Sequence, residues 1–247
     1  MQVPKILFAL YGAAVAFAVV GTLVSALTGV NPGLIAPIAA FVMLALGAAT
    51  TALSIGKIWP VLGAAMVCAS IEMIGVKTGF PFGRYSYTES WQPVIGIGGG
   101  DKFPLQIVLA WLMVGGASWL VAARFTSGAG QVALSGLIAM FVDIPMEDVM
   151  THRLGYWVWQ TPGPIFGAPL QNSTGWLFCA CASSLVLTPG RVPRDVKYAP
   201  FVLGGFCILM GETALLAHSS STLLWIAYAI VLVGIGFWPP KARSAAT

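Results

Sequence analysis

Residues 58–87 read IWPVLGAAMVCASIEMIGVKTGFPFGRYSY, and this stretch decides the fold. It begins with an apolar run long enough to cross a bilayer as a helix, and the acid within that run is Glu72. The run ends near Gly79 and Pro81, where an aromatic segment begins. An ionisable side chain in hydrocarbon costs several kcal/mol unless it is paired or hydrated. Glu72 is therefore a candidate functional residue.

The rest of the chain has the same apolar character. Of the 247 residues, 58% are hydrophobic and 8% are charged, whereas a soluble domain has roughly 25% charged residues. Apolar runs of spanning length occupy residues 6–28, 34–55, 58–76, 104–123, 130–149, 171–188, 199–217 and 220–238. The sequence predicts an all-α, polytopic integral membrane protein with about eight transmembrane helices, or seven if one run is interfacial. We expect residues 1–247 to form one transmembrane domain.

The first helix and the basic residues predict the topology. The run from Ile6 to Leu27 exceeds the core of a cleavable signal peptide, so we expect a retained first helix. An inside N-terminus places eight basic residues inside: Lys5, Lys57, Arg124, Arg191, Arg194, Lys197, Lys241 and Arg243. It places four outside: Lys77, Arg84, Lys102 and Arg153. The positive-inside rule then predicts a multi-pass protein of the cell (inner) membrane with both termini cytoplasmic.

This topology brings the intramembrane acids to one level. Helices three, five and seven run in the same direction, so Glu72, Asp143, Glu147 and Glu212 lie towards the same ends of their helices. The two long connections, residues 77–103 and 150–170, lie on that side as well. We expect a shared pocket there, with Glu212 either a fourth pocket group or a hydrogen-bonding group between helices.

The motif DIPME at residues 143–147 carries a pair of acids. Asp143 and Glu147 are four residues apart and share one helix face. Pro145 has no backbone N–H and weakens the helix locally. Two close carboxyl groups in a low dielectric cannot both ionise easily, so the pair is expected to offer a protonated acid beside a carboxylate base. The alternative is a polar helix end rising into water.

Aromatic residues follow both acidic segments. Phe82, Arg84, Tyr85 and Tyr87 follow Glu72, and the motif GYWVWQ at 155–160 contributes Trp157 and Trp159. The segment GPIFGAPLQNSTGW at 163–176 adds Asn172, which could orient water or a carboxyl group. Aromatic faces stabilise a nearby cation. These residues are candidate substrate-binding groups, although an interfacial Trp/Tyr belt has the same composition.

Several classes of protein lack support in the sequence. The net charge of +4 comes without a basic block, which argues against nucleic-acid binding. Two histidines are too few for the histidine boxes of membrane di-iron enzymes, and no dinucleotide-binding fingerprint is present. The four cysteines fall in apolar runs and form no C-x-x-C pair. We therefore expect neither a metal nor a cofactor.

Four pieces of the sequence together resemble a known family. The run Glu72-x-x-Gly75-x-x-Thr78-Gly79-Phe80-Pro81-Phe82-Gly83-x-Tyr85-x-Tyr87 is similar to the first signature of the carotenoid biosynthesis membrane proteins. The later signatures of the family resemble three further pieces, in the same order: Asp143, Trp157-x-Trp159, and Gly167-x-Pro169-x-x-Asn172-x-x-Gly175-Trp176. The resemblance covers about residues 65–190. The family includes γ-carotene, lycopene and bisanhydrobacterioruberin hydratases.

The resemblance implies cofactor-free addition of water to the terminal ψ-end double bond of an acyclic carotenoid. The substrate would be dissolved in the membrane lipids, water would be the co-substrate, and other carotenoid-pathway enzymes are possible partners. The chemistry needs a protonated carboxylic acid to form a tertiary carbocation and a second group to direct water. The hypothesis assigns Asp143 as the acid and Glu147 or Glu72 as the base. Trp157, Trp159, Tyr85 and Tyr87 would line the cation site.

Other functions start from the same features. A membrane lycopene cyclase begins with the same protonation, but a neighbouring double bond captures the cation. A non-catalytic carotenoid-binding protein would use the aromatic pocket without the acids, and a proton-coupled transporter would use the acids as a relay.

Overall fold

The computed structural model describes residues 3–187 and 193–239, and eight α-helices lie within these ranges. They are α1 (Val3–Thr28), α2 (Ile35–Ile55), α3 (Ile58–Thr78), α4 (Gln106–Ala122), α5 (Gly128–Glu147), α6 (Leu170–Leu187), α7 (Ala199–Leu216) and α8 (Thr222–Phe237). Each coincides with one predicted apolar run, with ends that differ by a few residues. The all-α, polytopic membrane architecture predicted from the sequence is confirmed.

Five helical segments are long and apolar enough to cross a membrane among the residues described: α1, α2, α3, α7 and the continuous segment Gly128–Arg153. The helices α4 and α8 are apolar but shorter. Large apolar side chains cover the outside of the bundle, including Phe17 at 59% exposure and Ile230 at 67%. In water such a surface would aggregate, whereas hydrocarbon solvates it well.

The helix α4 lies at the centre of the bundle and packs against α2, α3, α5 and α7. Small residues let these helices approach closely, as is usual in membranes. A side chain at Gly116 would place its Cβ 2.8 Å from Thr51 Cγ2 of α2, and one at Gly47 would place it 2.5 Å from Met113 Sδ. These contacts close the half of the bundle that lies away from the strands described below.

One end of the bundle is held together by hydrogen bonds to the backbone of its turns. The buried Arg124 guanidinium, just after α4, donates to the carbonyl oxygens of Val196 (3.1 Å), Ile235 (2.9 Å) and Trp238. The backbone N–H of Asp195 donates to Ser54 O of α2 (2.9 Å). The carbonyl groups left free at these helix ends therefore have partners.

The basic residues assigned to the inner side lie at this end where the structure describes them, but three of them fall outside the described ranges: Arg191, Lys241 and Arg243. The predicted inside location of the termini stays a prediction, as does the assignment of the chain to one domain.

The other end carries four short strands, and we call it the strand end. They are β1 (Tyr85–Tyr87), β2 (Val94–Gly96), β3 (Lys102–Pro104) and β4 (Trp157–Trp159). The strands β1 and β4 pair antiparallel, and β2 and β3 form a separate hairpin. The two connections that the sequence placed on one side of the membrane thus meet through the pairing of β1 with β4.

Candidate active site

The β1–β4 pair is the platform of the site. Tyr85 lies opposite Trp159, and Tyr87 lies opposite Trp157. Because side chains alternate along a strand, these four rings share one face, which turns towards the helices. The intervening residue Val158 points away and is 59% exposed. Two three-residue strands therefore deliver two phenols and two indoles to one place.

The two phenols hold the carboxyl group of Glu72 on α3. Tyr85 Oη donates to Glu72 Oε2 at 2.6 Å, and Tyr87 Oη donates to the same oxygen at 3.1 Å. The indole of Trp111 on α4 donates to Oε1 at 2.9 Å. Glu72 is only 3% exposed. Burial raises the pKa of both phenols well above their usual range, and the adjacent Glu72 carboxyl raises it further. Both phenols therefore stay protonated as donors.

The two indoles hold Glu147 at the end of α5. Trp159 Nε1 donates to Glu147 Oε2 at 2.7 Å, and Trp157 Nε1 donates to it at 3.1 Å. The Asn172 amide on α6 donates to Glu147 Oε1 at 2.8 Å. Glu147, like Glu72, is thus bound by three neutral donors. Hydrogen bonds donated to a carboxyl group favour its ionised form.

Asp143 lies one helical turn before Glu147 and is fully buried. Asn172 Nδ2 also donates to Asp143 Oδ2 at 2.8 Å, so a single amide joins the two acids. The shared amide holds the Asp143 and Glu147 carboxyl groups side by side. Asp143 Oδ1 accepts no hydrogen bond from the part of the chain that the structure describes. Asp143 therefore has one neutral donor where Glu147 has three.

The helix changes geometry at this pair. Pro145 lies inside α5, which continues through it and ends at Glu147. A π-helical turn, Asp148–Arg153, follows directly. The Thr151 hydroxyl donates to the carbonyl oxygen of Glu147 there. Such widened turns often mark functional sites, and this one leads the chain into β4.

Glu72 and Glu147 border a mostly apolar cavity of about 100 Å³. Glu72, Glu147 and Asn172 form its polar wall together with the four rings of the platform. Five methionines line it as well: Met43, Met113, Met146, Met150 and Met210. The arrangement suits a hydrophobic molecule whose end is presented to acids.

Phe82 fills the gap between α3, α6 and the platform. Its ring stands edge-on to Tyr85, with centroids 6.2 Å apart at 86°. Glycines on two helices make room for it. A Cβ at Gly75 would lie 2.7 Å from Phe82 Cδ2, and one at Gly175 would lie 2.6 Å from Phe82 Cδ1. Glycine is therefore needed at these two positions of the aromatic motifs, because a larger side chain would collide with the Phe82 ring.

The structure brings eight of the ten predicted site residues to the cavity wall: Glu72, Phe82, Tyr85, Tyr87, Glu147, Trp157, Trp159 and Asn172. Two do not line it. Asp143 lies behind Glu147 and Asn172, and Arg84 is exposed on the far side of the platform. Glu212 does not line it either. The catalytic and binding roles of the ten residues stay predictions.

Several residues of the site were not predicted. Trp111 donates to Glu72 and stacks on Trp176, with ring centroids 4.3 Å apart. Trp91 stacks on Tyr156 at 5.0 Å with nearly parallel rings. Trp111 lies within an apolar helix. The sequence of such a helix does not show whether an indole faces the protein core or the lipid. The sequence likewise does not distinguish methionines that line a cavity from methionines packed in the core.

The fold and the site together define a polytopic membrane protein with buried carboxyl groups at the end of an apolar cavity. Residues 29–235 match the carotenoid biosynthesis protein family, and the chain belongs to that family. The chain is also similar to the bisanhydrobacterioruberin hydratase of Haloarcula japonica, with 28% identity over 156 residues. This match covers 57% of the chain and 50% of the relative, so the matched part spans about half the length of that protein. No solved structure matches the chain.

Proposed function

We propose that this protein adds water across the terminal ψ-end double bond of an acyclic carotenoid of the lycopene or γ-carotene type. The observation that carries the proposal is the presence of two carboxyl groups, Glu72 and Glu147, on one wall of an apolar cavity in a membrane protein. Family membership supports a carotenoid substrate, and the hydratase name of the relative supports hydration.

The proton comes from the Asp143–Glu147 pair. Salt bridges in the described residues involve other acids, so no cation neutralises these two. Burying two uncompensated charges together is very costly, which favours one proton on the pair. Glu147 has more donors, so the proton resides on Asp143 at rest. Because Glu147 forms the wall, the proton moves from Asp143 to Glu147 and from Glu147 to the alkene, and the pair then holds no proton until one returns at the end of the cycle.

Protonation of the alkene leaves a tertiary carbocation beside the platform. The faces of Tyr85, Tyr87, Trp157 and Trp159 offer cation–π stabilisation of about 0.5–2 kcal/mol for each well-placed ring. The apolar remainder of the cavity raises the value of such electrostatic contacts, because little water screens them.

Water then attacks the cation, and Glu72 orients it. Three neutral donors keep Glu72 an acceptor, and it borders the same cavity as Glu147. The new C–O bond forms from a water lone pair, and the resulting oxonium loses a proton to Glu72. That proton returns to the Asp143–Glu147 pair through water, so the net change is the addition of one H₂O. The balance needs neither an oxidant nor a reductant, and no cofactor is proposed.

The test is expression in a lycopene-accumulating bacterium, with liquid chromatography and mass spectrometry of the pigments. Pigments heavier by one or two waters are expected. A product of unchanged mass but shorter polyene absorption would indicate cyclisation instead, and lycopene, γ-carotene and longer acyclic carotenoids all left unaltered would refute both. Unaltered pigment that co-purifies with the protein would favour the carotenoid-binding alternative.

A further inference from the structure

The cavity wall is buried almost everywhere. Five lining residues keep partial exposure, and they fall into two groups. Ala40 and Ala110 lie in the apolar helices α2 and α4, whereas Leu154, Tyr156 and Trp159 lie in the connection that carries β4. The partly exposed residues of the cavity wall thus lie at two places of different character.

The first place lies on two helices of the apolar bundle. Ala40 is on α2 and Ala110 is on α4, helices that pack against each other. Each is about 6–8 Å along its helix from the strand end, at a rise of about 1.5 Å per residue. Nearby side chains on α2 face lipid, with Ile38 at 59% exposure and Phe41 at 42%.

Further along, the same two helices are sealed. Gly47 lies against Met113, and Gly116 lies against Thr51, at distances that leave no room for a Cβ. Of the residues with which α2 and α4 line the cavity, the two that keep partial exposure are both alanines. They lie in the strand-end half of the bundle, where the acids lie.

Methionines from four helices line the same cavity. Met43 is on α2, Met113 on α4, Met210 on α7 and Met146 on α5, beside Glu147. An unbranched thioether adapts its shape to an apolar guest more easily than a branched side chain does. A carotenoid is an extended rod much longer than this cavity, so only its end fits inside. The remainder needs an opening where it stays in hydrocarbon.

We propose that the polyene enters sideways from the bilayer between α2 and α4, past Ala40 and Ala110, while water enters from the strand end beside Leu154, Tyr156 and Trp159. This inference rests on the proposed function for the identity of the guest. It adds the path, the separation of the two reactants and the residues that set the width of the opening.

The test is cysteine protection in lipid nanodiscs. Ala40→Cys and Ala110→Cys are labelled with a bilayer-soluble maleimide, with and without lycopene. At a lycopene content about ten times its Kd, labelling should slow about tenfold, because only the unoccupied protein reacts. Ala13→Cys, on an exposed face of α1, should label at the same rate in both conditions. The wild-type protein gives the background of its own cysteines, three of which are buried.

Protection at both alanine positions, absent with a saturated alkane at equal mass, supports the path. Equal protection by the alkane, no protection, or protection only at Leu154→Cys overturns it. Labelling reports occupancy without turnover, so failure of hydration in the pigment assay leaves this result interpretable. If hydration is found, Ala40→Trp should lower carotenoid turnover at least about tenfold by steric exclusion. The same variant should still hydrate a short isoprenoid with the same end group, and equal loss on both substrates would contradict the path.

Discussion

Replacing Asp143 with asparagine should remove the proposed proton donor and leave the stability of the protein nearly unchanged. The Asp143 carboxyl accepts one hydrogen bond from Asn172, whose amide also donates to Glu147, and its Oδ1 has no donor among the described residues. In Asp143→Asn, the new amide oxygen still accepts from Asn172, and the new N–H₂ faces the Glu147 carboxyl group. The number of hydrogen bonds does not fall, so the free energy of unfolding should change by no more than about 1 kcal/mol.

Turnover should respond very differently to Asp143→Asn. An amide cannot supply a proton, and loss of a general acid costs about 10²–10⁴-fold in rate. At 1.36 kcal/mol per tenfold this is about 3–5 kcal/mol in the activation free energy. The loss should appear in the rate of pigment conversion, while the affinity for the carotenoid stays the same, because Asp143 does not line the cavity.

The assay compares hydrated and unhydrated pigment in a lycopene-accumulating host, normalised to the amount of folded protein in membranes. Glu212→Gln is the matched control: it removes another carboxyl group from a spanning helix, one that does not line the cavity. That variant should keep wild-type turnover. Turnover of Asp143→Asn within tenfold of wild type, at equal protein level, would refute the assignment of the proton to Asp143.

Three further predictions use the same assay and thermal unfolding in detergent. Glu72→Gln should still permit cation formation but misdirect water, so that isomerised or cyclised pigment of unchanged mass appears in place of the alcohol; an unchanged yield of alcohol would remove Glu72 from the water-directing role. Trp159→Phe removes the 2.7 Å indole hydrogen bond to Glu147 while keeping an aromatic ring. It should lower the free energy of unfolding by about 1.5–3 kcal/mol, as expected for a hydrogen bond to a charged group. A loss below about 0.5 kcal/mol would contradict a charged acceptor. Gly175→Ala drives a methyl group into Phe82 and should cost about 1–3 kcal/mol, whereas Gly12→Ala, with nothing within 4 Å of the new Cβ, should not destabilise the protein.

The class of the protein and the number of helices follow from the sequence by local physics. In hydrocarbon each helix satisfies its own backbone, so an apolar run of sufficient length is a helix whatever surrounds it. The rarity of acids identified Glu72, Asp143 and Glu147, and the alternation of helix direction placed them at one end. The structure places these three acids near one another at the strand end.

The tertiary structure alone decided which donor serves which acid. The two tyrosines bind Glu72 and the two tryptophans bind Glu147 because β1 and β4 pair in one register, and three-residue strands are too short to be recognised from the sequence.

The rotation of each helix about its axis is likewise set by long-range packing rather than by local sequence. That rotation brings Trp111 to Glu72, turns Asp143 behind the cavity wall, and places Ala40 and Ala110 at its edge. A hydrophobic run specifies a helix but leaves this rotation open, because lipid and protein interior are nearly equally apolar neighbours for its side chains.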